Sequence, residues 1–220
     1  MIGIYGGTFD PPHLGHLHLI KTLLDRFSFT KFYIVPTSQN PLKNSGPQIT
    51  ADQRLMLLKA AVEELGPKVE ILDWEIKKTG PSYTIDTLNE ISKKETEPLV
   101  FVMGSDLFPR LLDWKSPLEL LKKANFLIVQ RTSENMGDPQ QLLHKVGIFD
   151  SHFTEKNHLA HSQDRRWLEL CEIDALPFSS SEIRQQLAEM WKKNKLDVPP
   201  QGIQRSVWLL IKENRLYTVG

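Results

Sequence analysis

Short apolar runs alternate with stretches of helical spacing, and this alternation is what most restricts the fold. Ile2–Tyr5, Phe32–Val35, Val69–Leu72, Leu99–Met103 and Phe126–Val129 read as strands, the last two apolar at every position. A strand apolar on both faces must be covered on both, as in a parallel sheet packed between helices. Between the strands, Leu17, Ile20, Leu23, Leu24 and Phe27 recur at helical spacing. Thr50 and Gln53 form a capping box ahead of Leu55, Leu58, Val62 and Leu65, and Gly66-Pro67 stops that helix. Thr84–Ser92 sets Ile85, Leu88 and Ile91 on one face. Ser116-Pro117-Leu118-Glu119 predicts a helix start with a serine cap and proline in the first position. Farther on, Trp167–Ile173 alternates like a strand, and Ser180 or Ser181 is expected to cap a helix carrying Ile183, Leu187 and Met190. Ile203–Glu213 predicts a last helix with Val207, Leu210 and Ile211 inward. The expected fold class is α/β: a single doubly wound, Rossmann-like parallel sheet with helices on both faces. It is expected to span 1–220 as one domain, with 132–176 as a subdomain or insertion.

Composition removes several function classes. The 27 Lys and Arg residues are matched by 27 Asp and Glu, so there is no net charge to draw the chain to a nucleic-acid polymer or an anionic membrane. Cys171 is the only cysteine, which excludes an intramolecular disulfide and suits a reducing compartment. Val207–Ile211, at five residues, is as long as any uninterrupted apolar run, too short for a bilayer span. No Lys or Arg precedes Lys21, so the basic start of a secretory signal is missing and a cytoplasmic location is expected.

In a doubly wound sheet, ligands sit beyond the carboxyl ends of the strands. After the first strand the chain reads Gly6-Gly7-Thr8-Phe9-Asp10-Pro11-Pro12-His13-Leu14-Gly15-His16. Two glycines allow a sharp turn and a close approach of backbone to ligand, and the helix that follows offers N–H groups and a positive dipole end. The segment is neither the dinucleotide fingerprint nor a Walker loop with its lysine. In place of the lysine stand His13 and His16, spaced to share one face of a helical turn, where imidazoles can donate to phosphoryl oxygens. A zinc site built on His13, His16 and His18 is disfavoured: His16 and His18 point to different faces, and no carboxylate set accompanies them.

Gly7-Thr8-Phe9-Asp10-Pro11 followed by His13-Leu14-Gly15-His16 resembles the H-x-G-H motif of the nucleotidyltransferases. Phe178-Ser179-Ser180-Ser181-Glu182-Ile183-Arg184 is similar to that superfamily's second motif, I-S-S-T-x-I-R. A serine-capped helix with Arg184 on its first turn is a second anion site. One site for an α-phosphate and one for a leaving pyrophosphate is what nucleotidyl transfer needs. Within the superfamily, Pro81-Ser82-Tyr83-Thr84-Ile85-Asp86-Thr87-Leu88 resembles the P-S-Y-T-x-x-T-L stretch of bacterial nicotinate-nucleotide adenylyltransferases. Gly104-Ser105-Asp106 with Trp114, Asn40-Pro41-Leu42-Lys43, and the ending Leu216-Tyr217 also look like that family.

The resemblance implies transfer of the adenylyl group of ATP to nicotinate mononucleotide, giving nicotinate adenine dinucleotide and pyrophosphate. Mg2+ would arrive on the triphosphate rather than in a protein metal site. It implies that His16 stabilises the α-phosphoryl transition state, His13 helps hold the phosphates and Arg184 holds the β,γ-phosphates. Gly6, Gly7, Thr8, Phe9, Gly104, Asp106, Ser179, Ser180, Ser181 and Ile183 fall to ATP, with Asp106 near its ribose. Lys43, Ser82, Tyr83, Thr84 and Trp114 fall to nicotinate mononucleotide: Lys43 meets its phosphate, Tyr83 and Thr84 its carboxylate, and Trp114 stacks on its ring. The implied partners are these two small molecules, with no nucleic-acid polymer and no membrane, and with a homo-oligomer left open. The sequence departs from the family pattern at Leu42 in place of histidine, at Ser181 in place of threonine, and after Arg131, where Pro-Gly is lacking. The alternatives are a sibling adenylyltransferase acting on nicotinamide mononucleotide or another small phosphorylated acceptor, a metal-dependent hydrolase, and a nucleotide-binding protein without activity.

Overall fold

The structure is a computed structural model and describes residues 1–39, 46–130, 141, 144–145, 151–155, 158–161 and 166–218. The chain forms two compact units. The first comprises Met1–Gly6, Phe29–Ile34 and Ser82–Asp174, the second Gly7–Ser28, Val35–Pro81 and Ala175–Gly220.

The first unit is built on β1 (Ile2–Gly7), β2 (Lys31–Pro36), β4 (Leu99–Gly104), β5 (Asn125–Gln130), β6 (Ser151–Glu155), β7 (His158–His161) and β8 (Arg166–Glu172). Their order across the sheet is β2-β1-β4-β5-β8-β7-β6. The chain therefore steps from β1 to one side and later returns to its other side at β4, so β1 and β4 flank a topological switch point. The expected parallel pairing is found from β1 to β8. Ile2 faces Leu99 and Tyr5 faces Val102; Phe101 faces Phe126; Phe126 faces Leu168. The strands apolar on both faces are the central ones: Val100, Val102, Leu127 and Ile128 are almost wholly buried, each side chain contributing about 1.5–3 kcal/mol by the usual transfer scale. A Cβ on Gly3 would run into the Phe32 ring, so the close seating of these strands requires glycine there.

The polar stretch after β5 adds what periodicity does not show. β6 and β7 pair antiparallel, and β7 pairs antiparallel with β8. This edge is a meander on an otherwise parallel frame, since β6 and β7 are too close in sequence for a parallel crossover. In this unit, α3 (Thr84–Ile91) buries Ile85, Leu88 and Ile91 as expected. α4 (Pro117–Lys123) starts where predicted, but Ser116 has φ 55° and its side chain makes no capping bond. Its left-handed backbone turns the hydroxyl away, and proline in the first turn supplies the start instead.

The second unit contains α1 (Leu14–Arg26), α2 (Ala51–Val62), β3 (Val69–Ile71), α5 (Ser180–Lys192) and α6 (Arg205–Glu213). α1 buries Leu17, Ile20 and Leu23. The capping box of α2 is formed: Gln53 N–H donates to Thr50 Oγ1 at 3.3 Å and Thr50 N–H to Gln53 Oε1 at 3.0 Å. Gly66, at φ 84°, ends the 3-10 turn that follows α2. α6 buries Val207, Trp208 and Ile211 and packs on α2. Leu210, expected inward, is half-buried, and Trp208 is buried beside Val207 and Ile211 instead. Met190 of α5 is likewise half-buried, while Ile183 and Leu187 are inside. Among the described residues no helix is long and apolar enough to cross a membrane.

Candidate active site

The second unit holds the two phosphate motifs. β1 ends at Gly7, whose carbonyl accepts from the Thr37 N–H at 2.9 Å. Gly7 must be bare, because a Cβ there would come within 2.9 Å of the Phe9 ring. Phe9 is 1% exposed and held at φ 49°, an uncommon conformation for a bulky residue. Its ring lies edge-on to His16, with centroids 5.0 Å apart.

His13 is the N-cap of α1 and has an extended backbone, so it stands just before the helix instead of in its first turn. The expected pairing of the imidazoles survives: their rings stack with centroids 3.7 Å apart. The His13 N–H donates to His16 Nδ1 at 3.2 Å. With Nδ1 accepting, His16 carries its proton on Nε2, which is the donor it can offer to an anion. Gly15 completes this packing, since a Cβ there would lie 3.0 Å from the His13 ring. The first N–H of α1, on Leu14, donates to the Gly202 carbonyl at 2.8 Å.

The second motif docks onto the first. The N-cap of α5 is Ser179, one residue ahead of the expected Ser180 or Ser181; its Oγ accepts from Glu182 N–H at 3.2 Å. Ser180 is drawn off to another partner: its hydroxyl donates to the Pro11 carbonyl at 3.0 Å. Arg184 Nη1 donates to the Asp10 carbonyl at 2.6 Å, and Nη2 donates to Ser181 Oγ at 3.2 Å. Arg184 Nε is buried and has no hydrogen-bond partner among the described residues. Ile183 lies beneath this turn in the core. Segments some 170 residues apart are thus tied by two side-chain bonds into one cationic, donor-rich surface beside the imidazole pair.

Three residues given no role in the sequence reading support this site from beneath. Asp10, 3% exposed, accepts from Tyr217 Oη at 2.8 Å through Oδ1 and from Gln48 N–H at 2.8 Å through Oδ2. Arg54, 2% exposed, donates from Nη1 to the carbonyls of Thr8 at 2.8 Å and Thr37 at 2.7 Å. Burial presses the Arg54 guanidinium below its ordinary range, and the Asp10 carboxylate opposes that shift. Burial, and then the Asp10 charge, push the Tyr217 phenol far up, so it stays a proton donor. A signal for Arg54 was present: it lies three and four residues before Leu57 and Leu58, on the apolar face of its helix, where a lone cation demands a partner.

The first unit carries Ser82, Tyr83, Thr84 and Trp114, expected to meet the acceptor, and Gly104 and Asp106, expected to meet ATP. Tyr83 is the N-cap of α3, half-buried, and Thr84 opens the helix. Lys115 Nζ lies 4.8 Å from the Tyr83 ring centroid and 3.0 Å from Asp86 Oδ1. Trp114 stands edge-on to Phe101 at 5.9 Å, and its buried Nε1 has no hydrogen-bond partner among the described residues. Gly104 ends β4, and a Cβ on it would strike Asp106 Oδ1. Asp106 is exposed. Ser82, just before Tyr83, is half-buried. Lys43, Leu42 and Arg131 lie outside the described residues. Among the described residues no three His, Cys, Asp or Glu side chains gather as a metal-ligand group.

Comparison with known proteins agrees with the two motifs. Residues 4–186 match the family model described as cytidylyltransferase-like. A relative from Hahella chejuensis, named a probable nicotinate-nucleotide adenylyltransferase, is 31% identical over 98% of this chain and 95% of its own length. One from Desulfatibacillum aliphaticivorans with the same name is 36% identical over 65% of this chain and 64% of its own length. The solved structure of Plasmodium falciparum nicotinic acid mononucleotide adenylyltransferase complexed with NaAD shares the fold, at TM-score 0.71 and 21% identity over 100% of this chain and 98% of that one. With both motifs in place, the family model matching residues 4–186 and a relative aligned over 98% of the chain, it belongs to the cytidylyltransferase-like nucleotidyltransferases, on the branch of the nicotinate-nucleotide adenylyltransferases.

Proposed function

We propose that this protein transfers the adenylyl group of ATP to nicotinate mononucleotide, giving nicotinate adenine dinucleotide and pyrophosphate. The observation that carries this reading is the docking of Ser180 and Arg184 onto Pro11 and Asp10, which sets the second anion motif beside the histidine pair. A phosphate oxygen of the acceptor attacks the α-phosphorus of ATP, and the bond to the β-phosphate oxygen breaks. No enzyme nucleophile is required, so catalysis rests on positioning and on stabilising developing charge.

We assign His16 Nε2–H to an α-phosphate oxygen in the transition state, with His13 holding the same phosphates. Arg184, with Ser179, Ser180 and Ser181 at the head of α5, takes the leaving pyrophosphate. Gly6, Gly7, Thr8 and Phe9 shape the backbone against the nucleotide, Ile183 supports them from below, and Gly104 and Asp106 are assigned to the ATP ribose. Lys43, Ser82, Tyr83, Thr84 and Trp114 are assigned to nicotinate mononucleotide. The clustered donors suit phosphate oxygens rather than a bare cation, so magnesium is read as part of the triphosphate substrate. A cytoplasmic setting fits a substrate pair of soluble nucleotides.

Pyrophosphate release with ATP and each mononucleotide tests the reading. The expected result is turnover with the nicotinate form at least about tenfold faster than with the nicotinamide form, since donors built for a carboxylate are left unpaired by an amide. Preference for the amide overturns the substrate, and no release with either overturns the activity.

A further inference from the structure

The bond between Asp10 and Tyr217 joins positions 207 residues apart, and both partners are buried. Neither end is relaxed: Phe9, next to Asp10, has φ 49°, and Tyr217 itself has φ 60°. Bulky residues hold such backbone only where their surroundings dictate it, and these places concentrate at functional sites. The geometry around Asp10 gives the constraint a purpose. Its two carboxylate oxygens are each occupied by a donor, Tyr217 Oη on Oδ1 and Gln48 N–H on Oδ2. Arg184 approaches the same residue yet bonds its main-chain carbonyl at 2.6 Å, while its Nη1 stays 3.8 Å from Oδ2. A buried carboxylate beside a guanidinium ordinarily closes to a short, often bidentate pair. Here the two groups stay at the edge of ion-pair range, 3.8 Å, with no short bond between them.

We infer that Tyr217 is a positioning residue that holds the Asp10 carboxylate away from Arg184, so that the Arg184 guanidinium remains free to bind the anionic triphosphate. The inference rests on the adenylyl-transfer reading above. Remove the phenol hydroxyl and Oδ1 loses its donor; the carboxylate turns toward the nearest cation, and Arg184 is neutralised by its own neighbour. The raised ionisation of Tyr217 supports the role, because the phenol stays protonated and keeps donating. Arg54 fixes the backbone of the same turn through the Thr8 and Thr37 carbonyls, so the change falls on the Asp10 side chain.

The test is steady-state kinetics on Tyr217→Phe and on Tyr217→Phe with Asp10→Asn, with melting temperatures measured alongside. In Tyr217→Phe the KM for ATP should rise by about tenfold or more, while the KM for the mononucleotide stays within about twofold of wild type. Adding Asp10→Asn removes the competing charge and should bring the ATP KM back to within about threefold of wild type. A purely structural role predicts the reverse: a lower melting temperature, less active protein, unchanged KM values, and further loss in the double variant. An unchanged ATP KM in Tyr217→Phe, or no recovery in the double variant, overturns the inference. Should Tyr217→Phe melt below the assay temperature, Asp10→Asn alone decides it: its ATP KM must not exceed that of wild type, and a rise overturns it. Absence of pyrophosphate release by wild type is a separate result, and it strikes the adenylyl-transfer reading instead.

Discussion

At the scale of single residues, the site depends on donors whose directions are set by neighbours. His16 is fixed by the Phe9 edge, by the His13 ring and by the N–H on its Nδ1. The ring's orientation is thereby set by packing and by a main-chain donor. Replacing His16 by alanine should lower kcat by at least ~10²-fold, the scale of one lost transition-state donor, while leaving the melting temperature nearly unchanged. A variant with near-normal kcat removes His16 from the mechanism. The histidines and Arg184 were legible in the sequence because their spacing is tied to a glycine turn and a helix start. Asp10 was visible as the only acid among the first twenty residues, but not as an anchor, since its partners Gln48 and Tyr217 are distant in sequence. Arg54 escaped for the same reason: the carbonyls it serves lie outside its own helix.

At the scale of elements, local pattern carried most of the reading. The Thr50–Gln53 box is a purely local device, and it is found as expected. Thr50→Ala should cost about 1 kcal/mol, read as a lower urea midpoint with an unchanged slope. No change in midpoint makes the box dispensable. The caps at Ser116 and Ser179 show where local pattern fails. Three consecutive serines before Glu182 are nearly equivalent in sequence, and the choice among them falls to Pro11, a tertiary partner that claims Ser180. At Ser116 the left-handed backbone overrides the side chain's preference. The β6–β7 meander escaped because its residues do not alternate cleanly between apolar and polar, so no period marks them.

At the scale of the whole molecule, stability is linked to pH through buried phenols. Tyr217 faces Asp10, Arg54 and Arg184, and burial raises its ionisation far above its ordinary 10.0. Tyr33 is raised too, first by burial and then by its hydrogen bond to Glu95. Both phenols ionise near pH 10 in the unfolded chain and at a higher pH when folded, so between the two the folded state holds more protons. Their contribution is complete below pH 10 and declines above it, by at most about 1.4 kcal/mol per pH unit for each group. Tyr217→Phe should flatten that decline, as measured by urea unfolding between about pH 9 and 11. A slope equal to wild type would show that Tyr217 ionises equally in both states.

The bonds from Asp10 to Arg184 and Tyr217 close loops of 174 and 207 residues. Contacts of that separation carry the largest closure entropy, and they can form only after the elements they join exist. Competence therefore arrives with tertiary assembly and not with helix formation: neither motif, however well shaped locally, is half of an enzyme.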